Sequence, residues 1–495
     1  FEFLLNVLTL ANLGAMFVGI VVGLVIGAIP GLGPPMAIAL MIPISFNWPA
    51  DTALILMVST YAAGIYGGSF TAILLRAPGT SASAASAIEG YEMTKRGRAT
   101  EAIRMSTFAS VMGGLISGFA LLYLAPPLAK VSLLFGLTAI AAVSFGAVLK
   151  GLIAGLVGLL ISTIGVDAAS AYPRFNYGMT GLLSGVGILP SVIGLFAFAQ
   201  ALTLCEGSPK TNISGKAKLS WNIMPRWSEI VNCRWSLVRG WVTGLIMGIV
   251  PAAGASVAQW IAYAWEIQRG KPGDKFGEGE VKGLAATEGS NNGVTGTSLI
   301  PMFVLGIPGG ISAAVILGAL MVHGLQPGNR LFTDSPEVIF TVIWGFILAN
   351  FFMGPVAAVM ARLLAYVTLF PRGLLAPIIM VFCVVGTFAA SGNPWDVWIM
   401  VAMGIIGYLA QKYNFSPAGI LLGIILGPIA EEGLRNVLII SNDSPVSFIF
   451  SRWLSDVIIF LIVVALYYAF KPKAWDQAVE QGEATLAAGS GKSDD

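Results

Sequence analysis

Residues 27–35 read GAIPGLGPP and residues 248–256 read GIVPAAGAS; each closes a long apolar run with a proline set among small residues. A further break follows in each half, RAPGTSAS at 76–83 and GIPGGISA at 306–313. Proline removes a backbone donor and clashes with the preceding turn, so all four stretches are expected to end helices. The order on both sides is apolar helix, break, connection, apolar helix, break. This is the mark of an internal repeat. It predicts a first membrane repeat over 1–205, a cytoplasmic basic loop over 206–236, a second membrane repeat over 237–470 and a disordered cytoplasmic tail over 471–495.

The solvent of these segments follows from composition. The 495 residues are 56% hydrophobic and 11% charged, with a mean hydropathy of +0.83, whereas a soluble domain is about 25% charged. A bilayer core is spanned by roughly 20 apolar residues per helix, and such runs recur along the chain to give roughly 12 spanning or half-spanning segments. They are too long and alternate too weakly for a membrane barrel. The expected class is an all-α polytopic membrane protein, its helices broken by Pro and Gly or folded into re-entrant hairpins. No Lys or Arg precedes Arg76, so the N-terminus lacks the basic start of a cleaved signal and reads as the first membrane segment. Phe1 stands where an initiator Met would, and a few residues are expected ahead of it.

Cations orient the repeats. Lys95 to Arg104, Lys210 to Arg239 and Arg269 to Lys282 are basic and belong in the cytoplasm; Asn47 to Asp51, Val166 to Asn176 and Ser391 to Asp396 hold few or no cations and belong outside. Between its two breaks the first half has NWPAD, without a cation; the second has RGKPGDKFGEGEVK, with four. After the later break the order reverses, KRGR at 95–98 against HGLQPGNRLF at 323–332. Equivalent connections therefore face opposite sides, and the repeats are expected to be inverted.

In hydrocarbon, backbone freed at a break must be buried in protein or line a cavity. Paired half-helices then offer unpaired N–H groups and a positive dipole end to an anion. Gly31, Gly33 and Pro34, then Thr80, Ser81 and Ser83, Asn291 and Asn292, and Gly309, Gly310 and Ser312 have the composition to bind a carboxylate, through hydroxyl donors and close backbone approach. Read singly, each small residue serves equally to let membrane helices pack. Tyr66 and Ser69 with Glu288, Thr295 and Thr297 supply oxygens suited to a hard cation such as Na+. Two other readings stay open: a glycine-rich packing face around Tyr66 to Thr71, and a cytoplasmic helix start in which Thr287 or Ser290 caps and Glu288 sits in the first turn. Arg76 is either an anion contact or a snorkelling residue at the membrane edge. His323, the single histidine, stands in a Gly-rich turn and reads as structural, with a proton relay as the other reading. Cys205, Cys233 and Cys383 have no metal or disulfide spacing. The sequence has no phosphate loop, serine elbow or clustered metal ligands.

The runs PGLGPPMAIALMIP from Pro30, YGGS at 66–69, AILLRAPGTSASAASAIEGYEM from Ala72, and EGSNN, GIPGG and GALMVHGLQPG in the second half resemble the large permease of tripartite tricarboxylate transporters, the TctA family. The resemblance extends to about Phe470. Where Arg76 stands, the family pattern commonly has a neutral polar residue, often Asn; the extra cation either adjusts substrate choice or marks the membrane edge. The resemblance implies a secondary transporter in the bacterial inner membrane that carries a di- or tricarboxylate on a Na+ or H+ gradient by alternating access and needs no other cofactor. It implies a small TctB-like membrane subunit and a periplasmic TctC-like solute-binding protein as partners. Membrane lipid and a homodimer are further expected partners, and the small net charge of +2 implies no nucleic acid. The class opposed to this is a membrane enzyme acting on a lipid or isoprenoid acid through Glu288 and Arg76; a third is a channel or scaffold.

Overall fold

The computed structural model describes residues 2–130, 148–167, 172–206, 224–250, 254–271, 273–367 and 372–440. Outside the described residues lie the break at Pro251 to Ala253, most of the basic loop, the last apolar run before Phe470 and the tail. A short helix α1 (Glu2–Val7) leads into α2 (Leu10–Ala28), whose start is capped by the Thr9 hydroxyl accepting from Asn12 N–H at 3.4 Å. The chain then breaks and restarts as α3 (Pro34–Ser45), with Pro34 in the first turn, where its missing N–H costs nothing. Next come α4 (Ala50–Leu75), α5 (Ser86–Lys95), α6 (Ala99–Lys130), α7 (Val148–Ser162) and α8 (Ile188–Cys205), the last carrying a π-helical turn at Ile193–Phe198.

The second half runs through α9 (Trp227–Ile249), α10 (Gly254–Gln268), α11 (Val281–Thr297), α12 (Leu299–Leu305), α13 (Ile311–Val322), α14 (Asn329–Asp334) and α15 (Pro336–Val367). It closes with α16 (Arg372–Ser391), α17 (Pro394–Lys412) and α18 (Pro417–Ile440). Among the described residues six helices are long and apolar enough to cross a bilayer, and four shorter ones are apolar. The protein is thus an all-α membrane protein, as composition required. Residues 227–236, expected to be loop, are the first turns of α9: the Glu229 carboxylate folds back to accept from Arg226 N–H at 2.9 Å and starts the helix there. The only strands among the described residues are Gly165–Val166 and Pro173–Arg174, paired antiparallel. Arg174 donates to both oxygens of Glu431, at 2.7 and 3.1 Å, and Arg435 donates to Asp167 at 2.6 Å. The mixed charges around Glu431 therefore belong with the 165–174 connection.

The two halves share their order of elements and the spacing of their contacts. Gly19, Gly23 and Gly27 on α2 seat against the carbonyls of Leu56, Thr60 and Gly64 on α4; Gly240, Gly244 and Gly248 on α9 seat against those of Ala286, Ser290 and Val294 on α11. A glycine every fourth residue keeps one helix face bare, so the two backbones approach closely, with the Thr297 side chain also against Gly248. At the later breaks Gly79 N–H donates to Gly68 O and Gly309 N–H to Ser298 O, both at 3.2 Å; Ala77 N–H donates to Thr71 O and Ile307 N–H to Pro301 O, both at 3.3 Å. The helix before each break ends in a left-handed residue, Arg76 (φ 55°) in one half and Gly306 (φ 72°) in the other.

Contacts between the halves are reciprocal. Helix α6 of the first half packs on α11 of the second, and α15 of the second packs on α4 of the first. Tyr61 OH lies 3.0 Å from Ser298 Oγ, while Asn291 Nδ2 donates to Ser69 Oγ at 3.5 Å. From α5, Glu89 accepts from the N–H groups of Gly277, Gly279 and Glu280 ahead of α11, at 2.6 to 2.9 Å, and from Tyr263 OH at 2.7 Å. From the end of α13, His323 Nε2 reaches Ser45 O at the end of α3, at 3.1 Å.

A Cβ placed on Gly23 would lie 2.6 Å from Thr60 O, whereas Gly14, on the exposed side of α2, has nothing within 4 Å. Gly23→Val is expected to force α2 from α4 at a cost of about 3 kcal/mol or more, and Gly14→Ala to be neutral within about 1 kcal/mol. Thermal unfolding of the two purified variants in detergent checks the contrast; equal midpoints would show that the helices do not meet at Gly23.

Candidate functional site

Helix α11 has the sequence VKGLAATEGSNNGVTGT, rich in Gly, Asn, Ser and Thr, which are poor helix formers. Its helical state comes from enclosure: α4, α5, α6, α9, α10 and α12 pack around it and every residue from Gly283 to Thr297 is buried. The helix starts at Val281, where the Glu280 carboxylate accepts from Lys282 N–H at 3.3 Å. Thr287 and Ser290, the caps expected in the helix-start reading, instead donate to Leu284 O and Thr287 O inside the helix, at 3.0 and 2.9 Å. That reading is corrected: Glu288 lies two turns into the helix and is fully buried.

Polar side chains of three neighbouring helices converge on it. Glu288 Oε2 accepts from Ser106 Oγ at 2.9 Å and Ser110 Oγ at 3.0 Å, both on α6. Ser69 on α4 and Ser86 on α5 stand around the same carboxylate. Tyr66 on α4 hydrogen-bonds the hydroxyl of Thr107. Asn292 Nδ2 donates to Ser110 O at 3.1 Å and to Asn350 Oδ1 on α15 at 3.2 Å. Burying a carboxylate costs several kcal/mol unless it is paired or well hydrogen-bonded. Here the surroundings are hydroxyls and amides, and the ion pairs of the flanking helices, Arg104–Glu229 and Arg239–Glu266, do not include Glu288.

The structure thus brings together Tyr66, Ser69, Glu288, Asn291 and Asn292. It places Thr295 and Thr297 otherwise: Thr295 Oγ1 donates to Asn292 O at 2.6 Å, and Thr297 Oγ1 faces the carbonyls of Gly244, Gly293 and Val294. Sequence reasoning missed Ser106, Ser110 and Asn350, which lie on long apolar helices where a lone Ser or Asn looks like a packing residue. The signal available was spacing: Ser106 and Ser110 are one helical turn apart and share a face.

The breaks form a second region, beside the first. Ser81 Oγ lies 2.7 Å from Ser256 Oγ on α10, and Gln259 of α10 holds the Ser81 carbonyl and the Ala85 N–H. Thr80 Oγ1 and Ser83 Oγ are 3.3 Å apart. Gly309 is seated on Ser298, and a Cβ on Gly310 would lie 3.6 Å from Gly254 Cα, so the first residues of α10 and α13 adjoin. Ser312, in the first turn of α13, is buried. Gly79 is seated on the Gly27 carbonyl. Gly31 and Gly33 diverge from this group: Gln200 on α8 donates to Gly31 O, while Pro34 packs on Gly64. Arg76 caps α4 with its guanidinium 6.0 Å from the Tyr91 ring, which Lys95 also approaches at 5.6 Å.

A family model described as the tripartite tricarboxylate transporter TctA family matches residues 13–422. A protein of Agrobacterium vitis, described as an uncharacterized 52.8 kDa protein in the TAR-I ttuC' 3' region, is 32% identical over 454 residues, covering 89% of this chain and 90% of its own. Another protein from Agrobacterium vitis, described as an uncharacterized protein in the TAR-II ttuC' 3' region, is 32% identical over 206 residues, 42% of this chain and 85% of its own. No solved structure gives a significant match.

A hydrogen bond to a charged acceptor contributes about 1.5–3 kcal/mol and one between neutral groups about 1 kcal/mol. Replacing Ser106 and Ser110 by Ala is therefore expected to lower the thermal midpoint strongly. The same replacements should cost less in a Glu288→Gln background, the coupling that a double-mutant cycle measures. Equal costs in both backgrounds would show that the carboxylate does not lean on these hydroxyls.

Proposed function

The chain belongs to the tripartite tricarboxylate transporter TctA family, and from that premise we propose that it takes up a di- or tricarboxylate across the bacterial inner membrane, driven by a Na+ or H+ gradient. Proteins of this family are the large subunit of tripartite tricarboxylate transporters and operate with TctB and TctC partners. In this reading a periplasmic TctC-like protein delivers the carboxylate, a TctB-like subunit completes the membrane complex, and roughly 12 spanning or half-spanning segments form two inverted repeats. A homodimer in the membrane is compatible with it.

The observation that carries the proposal is the recurrence of one broken-helix unit, with matched glycine contacts and matched hydrogen bonds at each later break. Their reciprocal contacts support a two-fold relation, and the reversed placement of cations supports inversion. The beginnings of α10 and α13 adjoin, and the start of α13 at Gly310 has no side-chain cap among the described residues. Two positive dipole ends brought together repel in hydrocarbon unless an anion lies between them, and a substrate carboxylate is such an anion. Thr80, Ser81, Gly309, Gly310 and Ser312 would contact the substrate, with Asn291 and Asn292 on its inner flank. Gly31, Gly33 and Pro34 would line the approach, and Arg76 would stand at its cytoplasmic edge. The carboxylate-bearing group on α11 would bind the coupling cation.

The test is uptake of radiolabelled di- and tricarboxylates into proteoliposomes holding the three subunits, with sodium and proton gradients imposed separately. One gradient should drive accumulation of unaltered substrate, and Ser81→Ala and Asn292→Ala should each reduce it about tenfold, equivalent to about 1.4 kcal/mol. Normal uptake by both variants would sink the site assignment. Gradient-independent equilibration would indicate a channel, and a chemically altered product an enzyme.

A further inference from the structure

Among the described residues, three oxygen acceptors deep in α11 have no hydrogen-bond partner: Glu288 Oε1, Asn291 Oδ1 and Asn292 Oδ1. All three residues are completely buried. At positions i, i+3 and i+4 they lie within an arc of about 100° on one helix face. The orientation of Asn292 is dictated by its neighbours. Its Nδ2 faces two acceptors, Ser110 O and Asn350 Oδ1, and Asn350 is itself fixed by donating to Phe346 O at 2.9 Å. The amide oxygen of Asn292 is therefore the atom left over. Asn291 Nδ2 donates to Ser69 Oγ at 3.5 Å, with its Oδ1 on the other side of the amide. The other oxygen of Glu288 is already taken by two serines.

Counting acceptors discriminates among occupants. A proton on Glu288 Oε1 supplies one donor, which satisfies that oxygen and at most one of the amides. A water molecule supplies two donors but leaves the carboxylate charged in a low-dielectric interior, at a cost of several kcal/mol. A cation that accepts several oxygen ligands serves all three atoms and cancels the charge. One carboxylate balances one positive charge, so a divalent ion would leave an excess in hydrocarbon. We propose that Glu288 Oε1, Asn291 Oδ1 and Asn292 Oδ1 ligate a sodium ion, with the Ser69 hydroxyl oxygen completing the site from α4.

The position of this site gives it a means of coupling, a step that rests on the transport reading above. Ser69 follows Gly68, whose carbonyl holds Gly79 N–H at one later break, and Ser298, six residues beyond Asn292, holds Gly309 N–H at the other. An ion bridging α4 and α11 fixes the two helices against each other and so orders both breaks before a carboxylate arrives. The ordering cost is then met once for two ligands, which is positive cooperativity.

The experiment uses the purified chain in detergent without any carboxylate, so a failure of uptake leaves its readout intact. Radioactive sodium binding is measured by scintillation proximity. Thermal unfolding is followed as sodium chloride replaces choline chloride at constant ionic strength and pH. Saturable binding and a midpoint that rises with sodium are expected. Glu288→Gln keeps the shape and removes the charge; it should bind sodium at least about 100-fold more weakly, the loss of about 2.7 kcal/mol, yet unfold no earlier than the parent in choline. Asn291→Ala, a milder change, should weaken binding about tenfold. No sodium binding by the parent protein would overturn the proposal, as would undiminished binding by both variants. A midpoint that rises on acidification and ignores sodium would overturn it in favour of a proton.

Discussion

A backbone group released by a helix break inside a bilayer meets no water, and this constraint organises the protein. An unsatisfied N–H or C=O in hydrocarbon costs several kcal/mol, so every break must be answered by protein. At Pro78 and Pro308 the answer is the same: the N–H after the proline returns to a carbonyl eleven residues earlier, in Gly79 to Gly68 and Gly309 to Ser298. A carbonyl can be reached there only if the chain folds sharply back along its own helix, which the left-handed residues Arg76 and Gly306 permit. Arg accepts that conformation at a cost of roughly 1 kcal/mol, and as the cap of α4 it sets a positive charge against the negative end of the helix dipole.

Close backbone approach follows from the same constraint. Lipid tails are as apolar as leucine, so membrane helices associate by packing and hydrogen bonding more than by hydrophobic burial. The glycine rows on α2 and α9 bring them against α4 and α11 at separations a side chain would forbid. With α4 clasped by α2 and α11 by α9, their remaining faces meet each other and the helices α6 and α15. The polar residues of α11 are thereby enclosed on all sides, and serines from α6 can donate to Glu288. A polar helix in the centre of a membrane protein is tolerable only with such complete enclosure. The breaks and the carboxylate site are thus two results of one packing arrangement.

Much of this was legible in the chain. Prolines among small residues at 30, 78 and 308 name the helix ends because a proline acts on its own backbone, whatever surrounds it. Mean hydropathy set the solvent, and the long motifs set the family. Less legible was the run from Thr287 to Thr297. Its polar residues have no apolar period to reveal a buried face, so a cytoplasmic helix start and a buried site fitted equally well. The hydroxyl residues illustrate the same limit: Ser69 and Thr297 are chemically similar, yet one faces Asn291 and the other nearby carbonyls.

The sequence by itself determined that this is a polytopic helical membrane protein and where its prolines at 30, 78 and 308 end helices, because these properties follow from local backbone chemistry and from the cost of charge in a bilayer. Only the tertiary structure decided that Glu288 is buried among serines, that Glu431 and Arg435 pair across to Arg174 and Asp167, and that the beginnings of α10 and α13 adjoin. Those facts depend on which faces of distant helices meet. That register is fixed by the bare glycine rows and the helices α6 and α15 acting together, a sum of contacts across the chain that no local stretch records.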